Sequence, residues 1–230
     1  MKAPLSEETG IAMITKRFAI TIPLLMGVLL AQSQKAQALL MALSANSRQV
    51  VTYEWKQKST VIRRGTPAGF KIDEVRFDSN GQPVRITLAQ PEAKKMGPIK
   101  ARKAAEIKDD IQDVMQLAGQ YTNPHQLSQA IRKGEIWEGQ GSLRIRARSI
   151  IFPADEMNMV VSSASCLPVR VEFKTQHEGR PVMIEADYQQ LANGPNMLVQ
   201  MTVRIPGDDV VVRVESFDFM RMASRAVPGL

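Results

Sequence analysis

From Leu143 to Ile205 the chain alternates apolar and polar residues with a period of two, and this pattern constrains the fold most. Leu143, Ile145 and Ala147 alternate with Arg144, Arg146 and Arg148. Met157, Met159 and Val161 form a shorter run. Val169, Val171 and Phe173 then alternate with charged neighbours, as do Val182, Ile184, Ala186 and Tyr188. Met197, Val199, Met201, Val203 and Ile205 make the longest apolar face, and Val210 to Phe219 follows Pro206-Gly207-Asp208. A period of two places one set of side chains on one side of a β-strand. Strands joined by turns this short must be antiparallel, because a parallel crossover needs a dozen or more residues.

The first part of the chain carries the same signal. Tyr53 to Arg64 is an extended run ending at Gly65-Thr66-Pro67-Ala68-Gly69, a turn-forming segment. Phe70 to Phe77 shifts parity between Ile72 and Val75, which predicts a β-bulge near Asp73 or Glu74. Asp78-Ser79-Asn80-Gly81 predicts a hairpin with a type I′ turn, and Pro83 to Ala89 is its return strand. The total is about nine strands.

Between these blocks the period becomes helical. Pro91 to Ile99 is a basic linker. From Lys100 to Gln120, Ile107, Ile111, Val114, Met115 and Ala118 share one stripe. Asn123-Pro124 reads as the cap and first residue of a second helix, which runs to Lys133 and ends at Gly134. Leu127, Ala130 and Ile131 are its predicted buried side. Leu39 to Val51 is a further predicted helix.

The N-terminal segment has the form of a secretion signal. Lys16 and Arg17 precede an apolar stretch, Phe18–Ala31, that is too short to span a bilayer, for which about 20 residues are needed. Ala36-Gln37-Ala38 supplies small residues for cleavage. Residues 1–38 are therefore expected to be removed, leaving a soluble protein in the periplasm or otherwise exported. Either Met1 or Met13 fits as the start. An uncleaved anchor is the alternative, disfavoured by Gln32, Gln34, Lys35 and Gln37, which are expensive in lipid. The expected organisation is a domain over 39–220 with a helical insertion at 98–133, and a flexible tail at 221–230.

Composition excludes several function classes. Hydrophobic residues make up 44% and charged residues 23%, which is ordinary for a globular chain. The net charge of +7 favours anionic surfaces. Few aromatics accompany the cations, so single-stranded nucleic acid is not an expected partner. Cys166 is the only cysteine, so no intrachain disulfide can form. His125 and His177 have no ligand-spaced companions for zinc. No nucleophile elbow, phosphate-binding glycine loop or Cys-x-x-Cys is present. Asp109, Asp110 and Asp113 beside Lys108 read as a solvated helix face. Neither catalysis, a metal nor a cofactor is expected.

The expected fold class is α+β and mainly β, a curved antiparallel sheet forming an incomplete barrel with helices at its mouth. A sheet of about nine strands is roughly 43 Å wide. Two or three helices about 10 Å across cannot cover its whole apolar face. A sheet of this width curls or splits, and small or partial barrels often enclose a ligand cavity. The predicted cavity residues are Met157, Met159, Val169, Val171, Phe173, Ile184, Met197, Val199, Met201 and Val203. Ile107, Ile111, Val114 and Met115 are the predicted lid. Arg144, Arg146 and Arg148, aligned on one strand face, are the expected contact for an anionic headgroup or a partner. A filled sandwich would give the same alternation.

The order of parts resembles the periplasmic outer-membrane lipoprotein carrier and sorting proteins. The similarity lies in the signal, the first helix, Tyr53-Glu54-Trp55 opening a long strand, and the Phe77–Pro83 hairpin. It continues through the mid-chain helices, Leu167-Pro168-Val169-Arg170-Val171 and the late meander with Tyr188. Exported bacterial proteins sharing the Tyr53-Glu54-Trp55-Lys56 opening are more similar still. The resemblance implies an open barrel with a helical lid that shelters acyl chains of lipoproteins crossing the periplasm. The long insertion with its basic start departs from the carrier pattern. The expected function is binding of a lipid or acylated partner in the cell envelope, reached through the export machinery. The alternative is a non-enzymatic envelope scaffold with a filled core that contacts another envelope protein.

Overall fold

The computed structural model describes residues 21–91 and 97–222. The chain divides into two compact units, residues 1–38 and 39–230. Of the first unit the described part is helical, within α1 (Thr21–Val50). Lys16, Arg17, residues 18–20 and residues 223–230 of the expected tail lie outside the described residues. No described helix is long and apolar enough to cross a membrane.

The second unit is one open, curved antiparallel sheet with helices on its inner face. In chain order the strands are β1 (Tyr53–Arg63), β2 (Thr66–Phe77), β3 (Pro83–Ala89), β4 (Glu135–Gly139) and β5 (Ser142–Arg148). They continue as β6 (Glu156–Ser162), β7 (Pro168–His177), β8 (Arg180–Gln190), β9 (Asn196–Ile205) and β10 (Val210–Arg221). Their spatial order is β3-β2-β1-β10-β9-β8-β7-β6-β5-β4. Among the described residues there are ten strands, one more than the alternation yields. The extra one, β4, is short and lies at an edge, and only Ile136 of its residues is not exposed.

β3 and β4 are consecutive strands at opposite edges, so their connection must cross the sheet. Nine gaps make that distance about 43 Å. The connection contains α2 (Pro98–Tyr121) and α3 (Pro124–Lys133), both close to their predicted bounds. At about 1.5 Å per residue, α2 covers about 36 Å of the way. Asn123 caps α3 by accepting from the His125 amide at 2.9 Å, and Leu127, Ala130 and Ile131 are buried.

Opposed residues in antiparallel ladders share a face, so the registers define lines across the sheet. One line runs Lys71–Ser59–Val214–Met201–Ala186–Val171–Met159–Ile145–Ile136. It is polar on β2 and β1 and apolar from β10 onwards. The apolar part is the packed core. Met157, Met159, Val171, Phe173, Ile184 and Val203 there are all at most 1% exposed. α1 closes this half at Leu39 and Leu43. The Asn46 side chain donates to the Asn196 carbonyl at 2.9 Å and accepts from the Asn196 amide at 2.7 Å.

Four local expectations need correction. β2 has no inserted residue near Asp73. Its register with β1 is regular from Gly69 to Val75, so Phe70 and Ile72 face outward, and the irregularity lies in β3, where Leu88 is skipped. The first turn is Arg64-Gly65, with φ of 47° and 74°, and Thr66 to Gly69 is already strand. The second hairpin is not type I′. Of its central residues only Gly81 has positive φ, and the Asp78 carboxylate accepts from the Asn80 and Gln82 amides at 2.8 Å, fixing a different turn. Gly134 has φ −83° and ψ 157°, so it does not end α3 by a left-handed cap.

Gly134 is required by close approach. A Cβ there would lie 2.8 Å from the Ala130 carbonyl oxygen and from Ile145 Cγ2, and 3.0 Å from the Arg146 carbonyl oxygen. Gly134→Ala must push α3 away from β5. We expect a loss of about 1–3 kcal/mol in stability, the usual result of overpacking, measured by urea unfolding. Gly119→Ala, where a Cβ meets nothing within 4 Å, serves as the control and should gain up to about 1 kcal/mol from helix propensity.

Candidate ligand groove

Between the inner face of β1–β3 and α2 the sheet is not filled. A groove of about 1530 Å³ runs there, larger than ordinary small-molecule pockets of about 300–1,000 Å³. Its floor is Gln57, Ser59, Val61 and Arg63 of β1, with Lys71 and Asp73 of β2 and Arg85 and Thr87 of β3. Leu198, Met201 and Val212 close one side, and Ile107, Ile111, Met115 and Gly119 of α2 form the roof.

The groove exists because the small and polar inward residues of β1–β3 do not fill the space beneath a helix pinned elsewhere. The pin is at the C-terminal end of α2. Tyr121 is fully buried and its hydroxyl donates to Asp155 Oδ2 at 2.5 Å. Thr175 Oγ1 donates to Asp155 Oδ1 at 2.7 Å and lies 2.8 Å from the Tyr121 hydroxyl. The Ile151 and Phe152 amides complete the shell around Asp155 Oδ2 at 2.8 and 2.7 Å. Burial, together with the Asp155 hydrogen bond, pushes the Tyr121 phenol well above its ordinary pKa, so it remains a donor at physiological pH. The Tyr121 ring also meets Phe173, with centroids 4.9 Å apart. Val114, Leu117 and Ala118 are buried on the same helix.

Half-way along, α2 is held by charge. Arg180, at the start of β8, donates to Asp110 at 2.5 and 3.0 Å and to Asp208 at 2.8 Å. The Arg180 hydrogen bond draws the Asp110 carboxyl below its ordinary pKa. His177 Nε2 lies 4.0 Å from Asp110 Oδ1. The side-chain donor atoms of Asp110, His177 and Glu178 lie within 4.8 Å of one another, but the Arg180 guanidinium already supplies the positive charge there.

The predicted site residues separate into three groups. Ile107, Ile111 and Met115 line the groove, whereas Val114 is in the core. Of the predicted cavity residues, Met201 alone lines the groove. Met157, Met159, Val171, Phe173, Ile184, Met197 and Val203 are packed into the filled half. Val169 is 46% exposed, because the β6–β7 register jumps from Arg170 to Pro168 and turns it outward. Val199 is skipped by a second irregularity, between the Gln200 and Leu198 pairings, and Leu198 reaches the groove instead. Arg144, Arg146 and Arg148 lie together on the exposed outer face of β5. Arg146 and Arg148 approach Glu156 at 3.7 and 3.8 Å. Sequence reasoning missed Gln57, Asp73 and Arg85. Their signal was available in the pairing of β1, β2 and β3, whose inward positions carry polar residues.

The two fastenings differ in strength. Tyr121→Phe leaves a buried carboxylate short of one donor, and we expect a loss of about 1–3 kcal/mol in urea unfolding. The Arg180–Asp110 pair is part-exposed, so its contribution is about 0.5–1 kcal/mol. Because the folded Asp110 pKa is lowered from 3.8, that contribution is complete above the ordinary carboxylate value and fades as pH falls through the lower folded one. Hydrogen exchange of residues 105–115 should speed up in Arg180→Gln at neutral pH, with little change in the protection of β6–β8.

No family model matches the chain, and no curated protein matches it. The solved structures similar to it include the following three. A DUF1329 family protein from Desulfovibrio piger gives a TM-score of 0.43 at 8% identity, covering 82% of this chain and 94% of that one. An outer membrane lipoprotein-sorting protein domain from Vibrio parahaemolyticus gives 0.42 at 9%, with coverage of 84% and 94%. A LolA superfamily protein from Nitrosomonas europaea gives 0.35 at 12%, with coverage of 82% and 93%.

Proposed function

We propose that this chain is an exported cell-envelope protein that binds a hydrophobic ligand, a lipid or an acylated partner, in the groove between β1–β3 and α2. One observation carries the reading. Ile107, Ile111 and Met115 recur at helical spacing on the groove side of α2, are only half-buried, and face open space across from Val61, Met201 and Val212. Apolar side chains left in this position gain about 0.8 kcal/mol for each CH₂ of a ligand that covers them. Methionine at two of the positions adapts to chains of different shape.

The filled half of the sheet acts as the rigid support. α2 is a lid fastened at Tyr121 and held less firmly at Asp110, so entry and release follow movement of its N-terminal half. The N-terminal signal pattern supports the envelope location, and cleavage near Ala38 would leave the groove-bearing unit whole.

The test is direct. Protein purified from its host is extracted with organic solvent, and the extract is examined by mass spectrometry. Copurified acyl lipid is expected. Ile111→Glu, which puts a charge into the apolar roof, should weaken binding of a fluorescent acyl probe at least ten-fold while leaving the thermal midpoint nearly unchanged. An empty extract and no probe binding by the wild-type protein would overturn the reading.

A further inference from the structure

We propose that the groove selects an acyl amphiphile with an anionic head, and that Arg85 receives that head. The inference rests on the groove being a hydrophobic-ligand site and names the chemistry of the ligand.

Charge is the first observation. Five cationic side chains line the groove, Arg63, Arg64, Lys71, Arg85 and Lys108, against a single carboxylate, Asp73. Asp73 is 4% exposed and already satisfied, with Lys71 Nζ at 2.9 Å and the Thr87 hydroxyl at 2.9 Å. The polar end of the floor therefore holds one uncompensated positive charge, on Arg85.

The second observation is the partner of that charge. Arg85 donates to the side-chain carbonyl of Gln57, a neutral acceptor. Gln57 is 7% exposed and is tied in turn to Ser216 at 3.4 Å. Among the described residues Arg85 has no ion pair. Desolvation lowers its pKa, against the pull of Asp73. A guanidinium on the groove floor given only an amide oxygen is a site prepared for an anion, since bidentate contact with carboxylate or phosphate is the strongest bond it makes.

Dimensions give the third. Gln57 and Arg63 are six residues apart on β1, about 20 Å at strand rise. Half of a bilayer's hydrocarbon core is about 15 Å. An acyl chain of membrane length thus fits along Val61 under Ile111, with its head at Arg85.

The experiment uses the full-length protein, delipidated, with palmitate, 1-palmitoyl lysophosphatidate, hexadecanol and hexadecylamine as competitors of an acyl fluorophore. The wild type is expected to bind palmitate or lysophosphatidate at least ten-fold more tightly than hexadecanol, and hexadecylamine most weakly. The ratio of the two anions identifies carboxylate or phosphate as the preferred head. Arg85→Gln should bring the anions down to the level of hexadecanol, with an unchanged urea-unfolding midpoint reporting that the variant is folded. Arg85→Lys should restore part of the preference. Equal affinity of the wild type for anions and alcohol would overturn the inference and leave the groove reading intact. So would a preference that survives Arg85→Gln and disappears in Arg63→Gln. Failure of every probe, the alcohol included, would overturn both.

Discussion

The connection from one edge of the sheet to the other governs this molecule. β3 and β4 follow each other in sequence and stand about 43 Å apart, with every other strand between them. The chain must therefore carry a long, stiff element across one face, and α2 and α3 are that element. A helix forced across a curved sheet touches it closely only where side chains are made to meet it. Tyr121, Leu117, Ala118 and Val114 meet the β4–β10 half, and the N-terminal turns of α2 pass over β1–β3 with space beneath.

The anchoring of the crossover is polar, whereas most of the core around it is apolar. Asp155 is 1% exposed and accepts from two hydroxyls and two amides. A buried carboxylate with its acceptor positions filled fixes geometry that interchangeable methyl groups would leave loose. The network joins the last turn of α2, the β5–β6 loop and β7, so the helix cannot slide along the sheet without breaking several bonds at once. Freedom is left to the N-terminal half of α2, beyond the mid-helix Asp110 that a part-exposed arginine holds.

Much of the fold was legible because it is written locally. The stripe of Ile107, Ile111, Val114 and Met115 and the cap at Asn123-Pro124 located α2 and α3 from neighbours within a few positions, and strict alternation gave the strand faces from Leu143 to Ile205. Errors arose where a strand departs from its own period. Val169 and Val199 sit at register jumps decided by the partner strand, and β4 is too short and polar to carry a period. The groove was less legible, because it depends on which strands become neighbours. Met157 and Met159 have the composition of a flexible cavity lining, yet both are buried in the packed core, on the strand between β5 and β7. Gln57, Asp73 and Arg85 lie in three separate strands, and only the β1–β2–β3 registers bring them together.

That polar cluster is the part of the sheet that stability alone would have written differently. Gln57 and Asp73 are nearly as inaccessible as the core valines, and each displaces apolar surface that would contribute about 1.5–3 kcal/mol as a buried valine or leucine. Val or Leu at positions 57, 59 and 73 would bury more apolar surface and would remove the hydrogen-bonding floor of the groove. The inner face thus changes character at the β10–β1 boundary. From β10 to β5 it is packed as a protein interior is packed, and on β1–β3 it presents hydrogen-bonding groups and a cation under an incompletely covered apolar helix. An interior that stops packing half-way across its own sheet, beneath a helix the topology obliges it to carry, is a surface arranged to meet something other than itself.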